Sequence, residues 1–254
     1  MLPALFVSHG SPQLLLEGGE WANKLKKVGQ KLRALSPELV LVVSAHWLTE
    51  ETQIECSSDM KTLHDFSGFG RELYEFEYPA RGNPELCMEI AKSIEAEPIK
   101  GRGLDHGAWA ILAHLFPRAD VPVSQVSIDY SLPMEGFFRL GEALRSFRDR
   151  VVLLASGGLV HNLMDAFMSP KEPPEWAVDF KEKAKSLIVS KDWKALIEYV
   201  EKEGKLAHPT KEHFVPLLYF LGSLAEWEEV ELLHDGFEFG SIALTSFISV
   251  GGQA

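Results

Sequence analysis

The sequence is poor in cysteine, in positive charge and in long apolar runs. Cys56 and Cys87 are the only two cysteines in 254 residues, with no CxxC pair. No disulfide framework is signalled, and the two read as small buried thiols. Lys and Arg total 25 against 37 Asp and Glu, a net charge of −12. Such a chain has no positive field to gather phosphates, which argues against a nucleic-acid partner. No stretch approaches the ~18 apolar residues needed to span a bilayer. The apolar start, residues 1–8, is too short for the charged and hydrophobic regions of a signal peptide. A cytoplasmic protein without membrane or nucleic-acid partners is therefore expected. Missing too are a GxGxxG after a strand, GxxxxGK[ST], GxSxG and HExxH. Ser156-Gly157-Gly158 could pass for part of a nucleophile turn, but no ordered His/Asp set stands behind it.

What remains is ordinary globular composition, 46% hydrophobic and 24% charged. The length fits one large α/β domain or two of usual size. Residues 2–8, 38–45, 121–128 and 151–156 read as strands, and 52–56 as a short one. Residues 38–45 (ELVLVVSA) and 151–156 (VVLLAS) are apolar without alternation, as strands covered on both faces must be. Helical periodicity marks 20–35, 84–95, 109–116, 134–147 and 210–221, with closing strands at 230–233 and 241–250. From about 170 to 205 the composition turns to Lys/Glu-rich helical stretches, a helical excursion whose charges serve as solvated faces. The expected fold is a single α/β domain over 1–254. It has three layers, with a mostly parallel or mixed sheet covered by helices on both faces.

Nine histidines are the unusual feature. His9 directly follows the first strand, His46 directly follows residues 38–45, and His161 lies just beyond residues 151–156 and a glycine pair. In open α/β sheets ligands bind beyond the carboxyl ends of the strands. If these strands are parallel neighbours, the imidazoles converge there. A lone histidine at a strand end is ordinarily a hydrogen-bonded turn residue, but three such placements point to a metal, since neutral imidazole is the common ligand for first-row divalent ions. His213, at the start of a helix, is a candidate fourth arm. His106 sits in LDHGAW and His64 in HDFSGF, and each is open to a functional or an ordinary loop role. Asp105 is not assumed to pair with His106, because adjacent residues rarely face each other. His114, His208 and His234 read as structural or exposed.

Six segments occur in order: His9-Gly-Ser-Pro12, Ser44-Ala-His-Trp47, His64-Asp-Phe-Ser-Gly-Phe69 with Leu73-Tyr74, Leu104-Asp-His-Gly-Ala-Trp109, Val160-His-Asn-Leu163 and Glu212-His213-Phe214. Together they resemble the class III extradiol ring-cleavage dioxygenases of LigB type, DOPA-dioxygenase branch. The resemblance implies one divalent metal ion per chain, with Fe(II) expected for activity and Zn(II) able to occupy the site. It implies a small aromatic diol and O2 as substrates. By position, His9, His46 and His213 look like ligands, and His161 like a further ligand or an acid/base. His106 resembles a catalytic proton donor, and His64, Asp65 and Tyr74 are implied on the substrate side. Gly70 and Lys211 stand where the branch often has proline, outside the implied metal shell. Two further readings of the histidines are a zinc hydrolase working through metal-bound hydroxide and a metal-binding module without catalysis. Monomer and homo-oligomer are both compatible with the sequence.

Overall fold

Strands that are apolar at every position need cover on both sides, and the chain supplies it. The computed structural model describes residues 1–168 and 172–252. The first half runs β1 (Ala4–Ser8), α1 (Leu14–Glu17), α2 (Gly19–Ala34), β2 (Leu39–Thr49), β3 (Gln53–Glu55), α3 (Arg71–Glu75), α4 (Pro84–Ser93), β4 (Glu97–Ile99) and α5 (His106–Leu115). The second half runs β5 (Val123–Asp129), α6 (Met134–Leu144), β6 (Val151–Gly157), α7 (Leu163–Met168), α8 (Glu175–Val189), α9 (Trp193–Glu203), α10 (Val215–Gly222), β7 (Glu228–His234), β8 (Phe237–Glu238), β9 (Ile242–Ala243) and β10 (Ser246–Gly251). Among the described residues one eight-stranded sheet forms, in the order β4-β3-β5-β2-β6-β1-β10-β7. Its centre, β5-β2-β6-β1, is parallel throughout. β10 and β7 close one side in antiparallel fashion.

The period-two geometry of a strand divides its side chains between two cores. Leu5, Val7, Val40, Val42, Val152 and Leu154 pack against α2 and α5. Phe6, Leu41, Val43, Leu153 and Ala155 pack against α4, α6 and α10. The expected three-layer α/β domain with a mixed sheet is therefore the observed one. No helix among the described residues is long and apolar enough to cross a membrane.

Boundaries differ where local chemistry overrides pattern. α5 begins at His106 rather than 109, because the Asp105 carboxylate caps it by accepting from the Ala108 amide at 3.2 Å. Residues 210–221 divide into a 3₁₀ turn, Lys211–His213, and α10, which takes Pro216 into its first turn. β2 continues past residue 45 to Thr49, with its register against β5 broken between Val43 and Leu48. α8 and α9 occupy the helical excursion, and its first residues, 170 and 171, lie outside the described residues.

Candidate metal centre

β1, β2 and β6 are adjacent and parallel, and their carboxyl ends are level: Ser8 pairs with Gly157 and Ser44 with Ser156. His9 leaves the end of β1. His46 sits in the irregular stretch of β2, where the broken register re-aims side chains. His106 opens α5, and His213 ends the 3₁₀ turn before α10. β6 can receive that turn because Gly157 carries no side chain: a Cβ there would run into the His213 carbonyl oxygen. The Gly158 amide then donates to the same carbonyl at 2.8 Å.

The result is a knot of imidazoles. Ligand atoms of His9, His46 and His106 lie within 4.8 Å of one another, and the Nε2 atoms of His9 and His46 are 3.0 Å apart. The His213 ring centroid is 5.3 Å from that of His9 and 5.1 Å from that of His46. His161 stacks flat on His213, centroids 3.4 Å apart and planes within 7°.

Hydrogen bonds set which nitrogen of each ring is free. The Ser156 hydroxyl donates to the Gly107 carbonyl at 2.6 Å, so it can only accept from His9 Nδ1, at 2.9 Å. His9 therefore carries its proton on Nδ1 and presents a bare Nε2. His106 Nδ1 lies 2.9 Å from Asp65 Oδ1, which also accepts from the His106 amide at 2.9 Å. His106 likewise turns Nε2 inward. His213 Nε2 is buried without a hydrogen-bond partner among the described residues. Such an atom is costly unless something binds it. Behind the rings, the buried Asp105 accepts from Ser44 Oγ at 2.7 Å, and Ser44 Oγ accepts from the His46 amide at 3.2 Å. Asp105 also binds Gln125 and Arg102, and so anchors both the β2 irregularity and the start of α5.

Burial, followed by the mutual repulsion of neighbouring imidazoles, keeps this cluster neutral. It holds His46 at about 4 and His161 at about 3, and keeps His9 and His213 well below the ordinary 6.5. Burial would raise Asp65, but its bonds to His106 outweigh that and hold it at about 2. Neutral imidazoles with lone pairs directed inward are the donor set a divalent cation requires. The residues present therefore fit a metal.

The residues expected on the substrate side divide. Asp65 stands on His106 rather than alone in a pocket. His64 hydrogen-bonds the Phe76 carbonyl through Nε2 at 2.9 Å and lies among Phe66, Tyr74 and Trp109, with centroids 5.9–6.3 Å away. Tyr74 is exposed and packs on Phe66 at 5.1 Å. Phe66 meets the edge of His106 at 5.7 Å and touches Phe69 at 5.4 Å. The aromatic loop thus leads outward from the imidazoles to a cavity of about 600 Å³ walled by Phe69, Phe167, Phe239, His161 and Glu238. The sequence reading missed Ser156, the Asp65–His106 pairing and Glu238. Ser156 had a visible signal, since it ends an apolar strand beside its glycines. The other two depend on partners distant in sequence and leave no local mark.

The model of the catalytic LigB subunit of aromatic ring-opening dioxygenase matches residues 3–248. The chain belongs to the LigB family. This LigB-family enzyme is 36% identical to a 4,5-DOPA dioxygenase extradiol of Escherichia coli (strain K12), over 96% of this chain and 93% of that one. It is 32% identical to the 4,5-DOPA dioxygenase extradiol of Beta vulgaris, over 95% and 94%. It is 22% identical to a 3,4-dihydroxyphenylacetate 2,3-dioxygenase of Escherichia coli, over 65% and 64%. A crystal structure of an uncharacterized protein from Escherichia coli K12 superposes with a TM-score of 0.83 at 33% identity, covering 98% of this chain and 99% of that one. The enzyme is an aromatic ring-opening dioxygenase by family, and its three-histidine group fits a metal ion.

Proposed function

We propose that the enzyme opens the ring of a catechol bearing a short polar substituent, DOPA-like in size, beside its two hydroxyls, with both atoms of O2 entering the product. The observation that carries this reading is the buried Nε2 of His213, without a hydrogen-bond partner among the described residues, on a ring whose centroid is 5.3 Å from that of His9. His9, His46 and His213 would hold one divalent ion. His106, whose Nδ1 is held by the Asp65 carboxylate, would serve the substrate through its inward Nε2. Bound Fe(II) would supply one-electron exchange between ring and oxygen and the charge that favours an ionised catechol, whereas Zn(II) would supply the charge alone.

The protein's own groups do the rest. Asp65 orients the His106 ring by accepting from Nδ1, so Nε2 can take the proton of a substrate hydroxyl and return it later. Positioned proton transfer of this kind is typically worth roughly 10²–10⁴-fold in rate. His161 lines the cavity, where a neutral imidazole can accept a hydrogen bond from substrate or serve as a second acid/base. No external reductant is needed, because the four oxidising equivalents of O2 are consumed within the opened ring. Protein loaded anaerobically with Fe(II) and mixed with catechols and O2 should consume O2 and form a yellow semialdehyde, and Zn(II) protein should not. Absence of product across a broad catechol panel, or O2-independent hydrolysis by the Zn(II) form, would overturn the reading.

A further inference from the structure

One acidic side chain in the cavity has no part in holding a metal or moving a proton. Glu238 ends the short strand β8 and reaches the cavity wall that His161 also lines. Both its oxygens are anchored on one residue: Oε2 accepts from the Ser11 amide at 2.7 Å and Oε1 from the Ser11 hydroxyl at 2.6 Å. The segment bearing Ser11 can approach so closely because Gly10 takes φ +61°, and a Cβ there would come within 2.6 Å of Oε2. The carboxylate is therefore fixed in place on Ser11, two positions after His9.

Its surroundings suit a cation. Phe69, Phe167 and Phe239 line the same cavity, and aromatic faces attract ammonium groups. Glu238 forms no ion pair among the described residues, and the charge that acts on it is the like-signed Glu17. Burial raises its pKa, the mark of a carboxylate short of compensating charge. Each oxygen keeps acceptor capacity beyond its bond to Ser11. An ammonium entering here would meet a preorganised carboxylate beside aromatic side chains. A carboxylate substituent would meet repulsion.

We infer that Glu238 is the specificity-determining residue of this site, accepting the ammonium of a catechol with a short aminoalkyl substituent. The assignment rests on the ring-cleavage reading for the identity of the ring, and on the cavity alone for the identity of the substituent. The two can be tested apart.

Three catechols of similar size probe the charge: dopamine, cationic; 4-ethylcatechol, neutral; and 3,4-dihydroxyphenylpropionate, anionic. Zn(II)-loaded protein titrated with each by calorimetry, without O2, should bind dopamine about tenfold more tightly than 4-ethylcatechol, and the anion more weakly still, as a hydrogen-bonded charge pair implies. Glu238→Gln removes the charge and can still bind Ser11, its carbonyl accepting from the Ser11 amide and its NH2 donating to the Ser11 hydroxyl oxygen, and should bring the three within about threefold of one another. Equal affinities in the unsubstituted protein, a result that needs no variant, would overturn the assignment. So would a Glu238→Gln protein that weakens all three alike, because that is the signature of a structural role. Fe(II)-loaded protein given O2 and the same three compounds then tests the reaction: binding preference without any ring-opened product would overturn the ring-cleavage reading and leave Glu238 as the reader of charge.

Discussion

The two ends of the parallel strands carry polar clusters of opposite character. At the amino ends, Arg148 is 1% exposed and its guanidinium is fully engaged. It pairs with Glu228 at 2.6 and 2.7 Å and donates to the carbonyls of Leu2 and Ser223 and to Ser249 Oγ. This one side chain ties together the entry to β1, the start of β7 and the end of β10. Burial alone would raise the Glu228 carboxyl, and the bonds from Arg148 and the Ala225 amide hold it below its usual value. At the carboxyl ends lie imidazoles that repel one another when protonated and leave nitrogen lone pairs unmatched. Completed hydrogen bonding marks the end that holds the sheet together. Incomplete hydrogen bonding marks the end that waits for a ligand.

That contrast breaks most visibly if Arg148 is removed. Arg148→Ala leaves Glu228 buried and unpaired, and should cost about 3–5 kcal/mol. For a chain of this size that lowers the melting temperature by about 10 °C, read by calorimetry, while metal content at equal folded protein stays unchanged. At the other end, His46→Ala should abolish metal binding yet move the melting temperature of the metal-free protein by only about 3 °C, about 1 kcal/mol. His106→Ala should keep its metal and lose turnover; loss of metal instead would transfer His106 to the ligand set. Elemental analysis beside an O2-uptake assay separates these outcomes. A smaller effect is expected at Ser156, which fixes the His9 tautomer: Ser156→Ala should weaken metal affinity about 10–100-fold by competitive chelation.

The mildest test is acid. Burial holds His46 and His208 at about 4 in the fold, against an ordinary 6.5. Between pH 6.5 and 4 the unfolded chain binds protons that the fold refuses, so stability of the metal-free protein should fall with pH across that window. The Arg148 end responds later. The lowered Glu228 contributes above its ordinary 4.5 and is lost below it. Denaturant melts at pH 7, 5.5 and 4.5 would show whether the first losses belong to the imidazole end, through a smaller loss in His208→Gln than in the unsubstituted protein.

How far the sequence discloses this depends on distance along the chain. The central strands were legible because burial on both faces demands unbroken apolar runs, and β1, β2 and β6 have them. Three strand-end histidines were legible for the same reason. β4 and the β8–β9 pair were not, since two or three residues carry no period. Asp65 was read on the substrate side, but its bond to His106 joins residues 41 positions apart. The bulge that aims His46 was invisible too, because it is a mismatch between two strands rather than a property of either.

The pairing of β1 with β10 has a consequence for when the protein can first work. Ser8 donates through Oγ to the Thr245 carbonyl at 2.7 Å and through its amide to Ser246 Oγ at 3.1 Å, while Glu238 grips Ser11. His9 is thus braced on both sides by residues synthesised more than 220 positions after it. A nascent chain can finish its helices and most of its sheet and still lack a seated His9, so metal acquisition should wait until residues 238–246 have been made. A chain ended at residue 235 should therefore take up far less metal than the full chain during synthesis in vitro, and equal uptake by the two would refute that timing.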